Sequence, residues 1–262
     1  MSFNLGPYDQ YYLAAVVLLG TYGAAFFLLW LSQTSRYAEF IKTFRGIAQN
    51  FLTVINVIFA LNLAFLANDT WDARDRALDA VYRESGSLNN ILDLARNVPD
   101  PARSNITRVV ENYARLTAAN EWPRLARRES SEQVSDQLDA LLTLVSTADV
   151  TSAVNASVAA QLLQQAIDVR DTRDLRIALS QTHVNPLKWL GMAFLGFLTL
   201  ISIAMVHVDQ RRAQLLAVLL FATAAAPSAA IILIHGNPFQ NPFAVSPAPI
   251  ADLVEPQPKP AS

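Results

Sequence analysis

The sequence contains no cysteine among its 262 residues. Disulfides, thiolate zinc sites, iron–sulfur clusters and cysteine nucleophiles are therefore excluded. Histidine is nearly as scarce. His183, His207 and His235 are too few and too scattered to form a metal cluster, so no metal and no cofactor is expected. Charge is sparse as well: 16% of residues are Asp, Glu, Lys or Arg, against about 25% in an average soluble domain. The net charge of −2 offers no basic field, which argues against nucleic acid as a partner. With only eight glycines, no phosphate loop, dinucleotide fingerprint, zinc-protease helix or nucleophile elbow can be found. An enzyme reading thus has no residues to rest on. No acid or base falls in the middle of a long apolar run, which argues against a proton-coupled transporter but leaves a passive channel open.

What the sequence has is hydrophobic length. It is 52% hydrophobic, with a mean hydropathy of +0.25. Four segments are long and apolar enough to cross a bilayer, which takes roughly 20 residues of helix. They lie at about residues 11–31, 51–67, 189–208 and 215–234. Met1 to Gln10 carries no Lys or Arg and no small-x-small cleavage site follows, so the first segment reads as a retained helix rather than a signal. The second is the shortest and contains Asn56 and Asn62, with its boundary at Asn68-Asp69. Tyr11, Tyr12, Trp30, Trp71 and Trp189 sit at segment ends, where aromatic side chains suit the interface.

Residues 69–186 differ in kind: polar, charged and patterned throughout for helix. Leu78, Val81, Ser85, Leu88, Leu92 and Ala95 recur at 3–4 spacing. Pro99-Asp100-Pro101 ends that helix, and Asp100 is placed to cap the next with Pro101 at its first position. That next helix carries Ile106, Val109, Tyr113 and Leu116. A third opens near Ser131 with Val134, Leu138, Leu141 and Val145. A fourth runs from about Thr151 to Ser180 with Val154, Val158, Leu162 and Val169. No breaker separates the second membrane segment from the first polar helix, so one helix from about Phe51 to Asn97, roughly 70 Å long, is expected. The chain reads as an all-α membrane protein. Residues 1–68 hold transmembrane helices 1 and 2, and 187–235 hold helices 3 and 4. A helical bundle at 69–186 extends from helices 2 and 3 outside the bilayer. The tail, 236–262, has seven prolines and is expected over the surface or without fixed structure.

On a helical wheel Thr53, Asn56, Ala60, Ala64 and Ala67 fall within about 80° of one another. This small, polar stripe has two readings. It lines a pore, with Thr53 and Asn56 offering dipoles to an ion, or it lets helices pack closely in lipid. Asn62 lies on a different face. Asp69, Asp72, Asp75 and Asp79 crowd the start of the polar helix. They read as a salt-bridged surface or as a charged vestibule, and Arg170, Arg173 and Arg176 on the returning helix are candidates to meet them. Glu121-Trp122-Pro123 reads as a helix terminator with a buried Trp, since proline disfavours helix in the residue before it. Pro227 inside the fourth span is placed to kink it, with Ser228 beside it.

The order of these features resembles the bestrophin-like family of bacterial multi-pass membrane proteins. The residues that carry the likeness are Trp71 at the membrane boundary, Glu84, Tyr113, Glu121-Trp122-Pro123, Pro186 shortly before Trp189, Pro238-Phe239, and Ser246-Pro247 in the tail. They span about Phe51 to Ile250. Asn241 stands where the family has glycine, and Asn can keep a left-handed turn. The resemblance implies remote kinship with bestrophins, pentameric anion channels with a long second helix lining the pore. It thus implies a homo-oligomer in the lipid bilayer, in a bacterial inner membrane, with small anions as its partners. The alternative is a non-conducting membrane scaffold or sensor whose helical domain binds a protein partner. Orientation stays open. Arg36, Lys42 and Arg45, with Arg211 and Arg212, place two short loops in the cytoplasm, whereas the resemblance favours a cytoplasmic 69–186 domain.

Overall fold

The computed structural model describes residues 9–36, 38–42, 45–181 and 186–254; His183 and the last three prolines of the tail lie outside these. Every regular element described is helical. They are α1 (Asp9–Gln33), α2 (Ala38–Lys42), α3 (Arg45–Ala95), α4 (Ala102–Leu116), a π-turn (Thr117–Glu121), α5 (Trp122–Leu125), α6 (Glu132–Val145), α7 (Ala148–Thr151), α8 (Ala156–Gln181), α9 (Pro186–Val206), α10 (Arg211–Ile234) and α11 (Ala248–Ala251). The chain divides into two compact units, Met1–Trp71 with His183–Gly236, and Asp72–Thr182 with Asn237–Ser262. The α3 helix contributes its first part to one unit and its second part to the other, and it is unbroken; residues 47–85 hold no Gly or Pro, and the helix continues through Gly86.

The first unit is built from the apolar helices. Among the described residues four helices are long and apolar enough to cross a membrane: α1, the first part of α3, α9 and α10. All four begin earlier than expected, at Asp9, Arg45, Pro186 and Arg211. Proline favours the first turn of a helix, so α9 starts at Pro186, and α10 gains a polar first turn from Arg211. Ala25, Leu28 and Leu29 of α1 pack on Leu200, Ile203 and Ala204 of α9 and on Val218 and Ala222 of α10. Phe59 and Leu66 of α3 pack on Met192, Ala225, Ala229 and Ile232. Small residues make these approaches possible in lipid, where close packing replaces the hydrophobic drive. A Cβ added at Gly196 would stand 3.2 Å from the Phe59 ring. Helix α10 continues through Pro227, and Ser228 Oγ donates to the Ala224 carbonyl at 2.8 Å. At one end a buried amide joins three helices. Gln214 Nε2 donates to Ser32 Oγ at 2.9 Å and to the Ala204 carbonyl at 2.6 Å, and Gln214 Oε1 accepts from Gln33 Nε2 at 2.7 Å.

The second unit is a bundle of α4, α6 and α8 around the second part of α3. Its core contains Val81, Leu88 and Ile91, then Ile106, Val110 and Tyr113, then Val134, Leu138, Leu141 and Val145, and Leu162, Ala166 and Val169. Three local expectations change. Pro101 precedes α4 instead of opening it, and Asp100 accepts hydrogen bonds from the Arg103 and Ser104 side chains. Helix α8 begins at Ala156, where Asn155 Oδ1 accepts from the Val158 N–H at 2.9 Å and satisfies a first-turn amide. Glu121-Trp122-Pro123 does not end its helix. The wider π-turn at Thr117–Glu121 moves the carbonyls that the Pro123 ring would meet, and the chain continues into α5.

The tail departs most from expectation. Residues 237–254 belong to the core of this unit, with Phe239, Val245 and Ile250 buried. The Phe239 ring meets Trp122 edge-on at 5.5 Å. Trp122 Nε1 donates to the Val245 carbonyl at 2.8 Å, Ser85 Oγ to the Pro249 carbonyl at 2.5 Å, and Asn237 Nδ2 to the Leu125 carbonyl at 3.1 Å. Composition misleads here because proline-rich chain can be fixed by the groups around it. Asn241 is not left-handed either; Arg128 is the one described non-glycine residue with positive φ, at 64°. Asn241 precedes Pro242, which biases it towards extended backbone. Phe239→Ala should therefore cost about 3–5 kcal/mol, as for a core aromatic. Chemical denaturation of the detergent-purified protein measures this, and a loss within noise would return the tail to the surface.

Candidate functional site

The second unit buries four charges in one contiguous cluster. On α3 the buried line runs Ala77, Val81, Glu84, Leu88, Ile91, Ala95; on α8 it runs Leu162, Ala166, Val169, Arg173, Arg176, Ser180. The alternating spacing of three and four puts each charge on a stripe that is otherwise apolar or small. Glu121 is the last residue of the π-turn, in line with Tyr113 and Thr117. Arg176 is fully buried. Its Nε donates to Glu84 Oε2 at 2.9 Å, and its Nη2 donates to Glu84 Oε1 at 3.0 Å and to Glu121 Oε2 at 3.1 Å. Arg173 completes a fork on Glu121, from Nε to Oε2 at 3.1 Å and from Nη2 to Oε1 at 2.6 Å. Tyr113 OH donates to Glu84 Oε1 at 2.7 Å, and the Ser131 N–H donates to Glu121 Oε1 at 3.2 Å. The Arg176 guanidinium also lies 5.0 Å from the Trp122 ring, in cation–π range.

Two carboxylates and two guanidiniums cancel, so no net charge is left in the core. Burial alone would raise the pKa of Glu121, but the hydrogen bond from Arg173 and the charges of Arg176 and Arg173 outweigh it and hold the carboxyl below its usual range. Burial would likewise lower Arg173 and Arg176, but the facing glutamates keep both cations more strongly protonated than normal. Burial and the Glu84 charge push the Tyr113 hydroxyl well above its ordinary value, so it stays a donor. Both carboxylates are engaged by guanidinium groups, which makes the arrangement a clamp between α3, the π-turn and α8 rather than an acid–base pair.

The other sequence-selected residues fall in different places. Thr53, Ala60 and Ala64 are exposed in the first unit, whereas Asn56 and Ala67 are half-buried, with Ala67 packed on the Phe59–Leu66 cluster. Asp69 pairs with Lys188 at 2.6 Å and Asp79 with Arg83 at 2.9 Å, both on the surface. Asp72, Asp75 and Trp71 are exposed. The proposed meeting of the α8 arginines with Asp72, Asp75 and Asp79 is replaced by the cluster above. Those aspartates lie on the solvent side of α3, while Arg173 and Arg176 lie on the core side of α8; Arg170 is exposed, 3.7 Å from Asp171. Pro186 opens α9, and Trp189 is half-buried against Met192. The Pro238 carbonyl accepts from the Val245 N–H at 2.8 Å, Ser246 Oγ accepts from the Ala248 N–H at 3.2 Å, and Pro247 precedes α11. Sequence reasoning grouped Glu84, Tyr113, Glu121 and Trp122 only as residues that carry the family likeness, and matched Arg173 and Arg176 to the aspartates instead. The signal that joins them is a charge at a core position of a heptad-like stripe.

Two outcomes test the clamp. Arg176→Met leaves Glu84 buried without its guanidinium partner and should cost about 3–5 kcal/mol; the double variant Glu84→Met, Arg176→Met should recover much of that in denaturant melts, and equal loss in both would refute the pairing. Acidification gives a second test. Folded Glu121 binds its proton less tightly than the unfolded chain does, so its contribution is complete above the ordinary glutamate pKa of 4.5 and is lost as pH falls through and below it. The melting temperature should drop in that acid range, and less so in Glu121→Gln.

No curated protein matches this sequence. A solved crystal structure, of a chain described as a membrane protein, shares the fold, with a TM-score of 0.63 at 10% identity, covering 95% of this chain and 96% of that one. The sequence matches the Bestrophin-like domain over residues 19–250. With a match over most of its length and four apolar helices, this chain is a membrane protein and belongs to the bestrophin-like family.

Proposed function

We propose that this protein is an oligomeric channel for small anions in a bacterial inner membrane, with the first part of α3 lining the pore. Family membership supports the channel class. The observation that carries the reading is the uncovered side of α3. Thr53, Ala60 and Ala64 are exposed in the protomer, beside the exposed Val54, Val57, Leu61 and Phe65. Small residues facing outwards gain little from lipid chains but allow a neighbouring helix, or a narrow lumen, to come close. Asn56 and Asn62 are half-buried, and neither amide has a side-chain hydrogen bond among the described residues. An amide at membrane depth without a partner is costly. A second subunit, or a partly dehydrated ion at Asn56, would supply what the protomer does not.

The clamp in the second unit supports this reading by elimination. A neutral cluster whose two carboxylates are both engaged by guanidinium groups offers no free carboxylate to bind a substrate, so we look for the function on the α3 span. Purified protein in planar bilayers, with chloride as the carrier, provides the test. Ala60→Trp and Ala64→Trp should abolish conductance while light scattering still reports the wild-type oligomer. A monomer in detergent with no current at any voltage would overturn the channel in favour of a non-conducting scaffold or sensor.

A further inference from the structure

We propose that a groove in the first unit, between the end of α1 and the start of α10, binds one anionic phospholipid, with its phosphate on Arg211 and Arg212. The groove has a volume of about 480 Å³. Its walls are of two kinds. Phe26, Leu29, Trp30 and Leu215 form an apolar floor, and the two arginines stand at its polar end. Both arginines are exposed, and among the described residues neither has an ion-pair partner. Several other exposed cations are paired, Lys188 with Asp69, Arg83 with Asp79 and Arg96 with Asp93, whereas Arg76, Arg108 and Arg115, like the two groove arginines, have no ion pair among the described residues but do not line the groove. Asp209, the acid nearest in sequence, does not line the groove.

The charge pattern selects the occupant. Two adjacent guanidiniums match a phosphodiester, and they sit where α10 enters its apolar run and α1 leaves its own. Headgroups lie at that level of a bilayer, and basic pockets at helix ends recognise anionic ones. A soluble anion would satisfy the arginines but leave Phe26 and Trp30, both more than half exposed, uncovered. An acyl chain running from the same phosphate covers them. The first-turn amides of α10 add to the positive end, since Gln210 supplies no side-chain cap. The walls are also held at fixed spacing. Gln214 lies one turn beyond Arg211 and binds Ser32 and Gln33 of α1, so α1 and α10 cannot spread without breaking buried hydrogen bonds. The inference rests on the membrane spans and is independent of ion conduction.

Lipid selectivity at Trp30 tests it. The full chain is placed in nanodiscs containing chain-brominated phosphatidylglycerol in a phosphatidylcholine background, and in the reverse mixture. Quenching of Trp30 is read as the difference between the protein and Trp30→Phe. Each arginine contributes a severalfold preference at an anionic surface, so a preference for phosphatidylglycerol on the order of tenfold is expected, weakening with salt. Arg211→Gln with Arg212→Gln should bring the two lipids level, and Arg211→Lys with Arg212→Lys should keep most of the preference. Native mass spectrometry of the same variants gives a second count of retained phosphatidylglycerol that needs no Trp30. Equal quenching by both lipids, or a preference that survives the double Gln variant, would overturn the site. Loss of the preference on adding inorganic phosphate at low concentration would reassign the arginines to a soluble anion.

Discussion

A guanidinium closed off from water must have carboxylates facing it, and that requirement organises the polar unit. Arg176 cannot be buried alone, because an isolated charge in a medium of low dielectric costs many kcal/mol. Glu84 and Glu121 must therefore reach it, and they come from two elements far apart in sequence. Glu121 reaches it from the end of a turn that is π rather than α, the kind of local widening that marks sites with a specific geometric demand. Arg173 then balances the second carboxylate. The apolar residues to either side, such as Val81 and Leu179 on one and Leu88 and Val169 on the other, are compatible with several registers of α3 against α8. The ion cluster is compatible with one. In some proteins buried ionic groups fix register more than they add stability.

The cluster also accounts for the tail. Trp122 contacts both the Arg176 guanidinium and the Phe239 ring, with its ring nitrogen bonded to the Val245 carbonyl. The tail thus closes over the ring that covers the charges. The described part of the tail, which holds four of the seven prolines, can do this because Phe239, Val245 and Ile250 each find a buried place. Proline restricts the unfolded chain as well, so less entropy is lost when such a segment is fixed.

The membrane unit follows different physics. Its helices have no water to escape from each other, so contact depends on fit and on hydrogen bonds that lipid cannot offer. Alanines along α10, the close approach of Phe59 to Gly196, and the Gln214 amide meet those demands within one protomer. The outer side of α3 does not have its demands met in this way. Thr53, Ala60 and Ala64 face outwards, and the Asn56 amide has no side-chain hydrogen bond among the described residues.

Hydrophobic run length alone determined the four apolar helices, the long α3 and the helical character of the polar region, because span length and helical period are local properties of a chain. Composition determined the absence of thiol and zinc-thiolate chemistry. The buried stripes of α6 were legible residue by residue, since Val134, Leu138, Leu141 and Val145 have no competing pattern. Tertiary structure alone decided which acids meet which bases. Asp72, Asp75, Asp79, Glu84 and Glu121 are all chemically suited to pair with Arg173 and Arg176, and only the register of α3 against α8 separates solvent-facing aspartates from core-facing glutamates. It likewise decided the fate of the tail, whose composition describes an unattached segment but whose Phe239 and Val245 complete a core formed by residues more than a hundred positions earlier. Local pattern is set by neighbours in sequence; partner choice is set by desolvation, and desolvation exists only once the chain has folded.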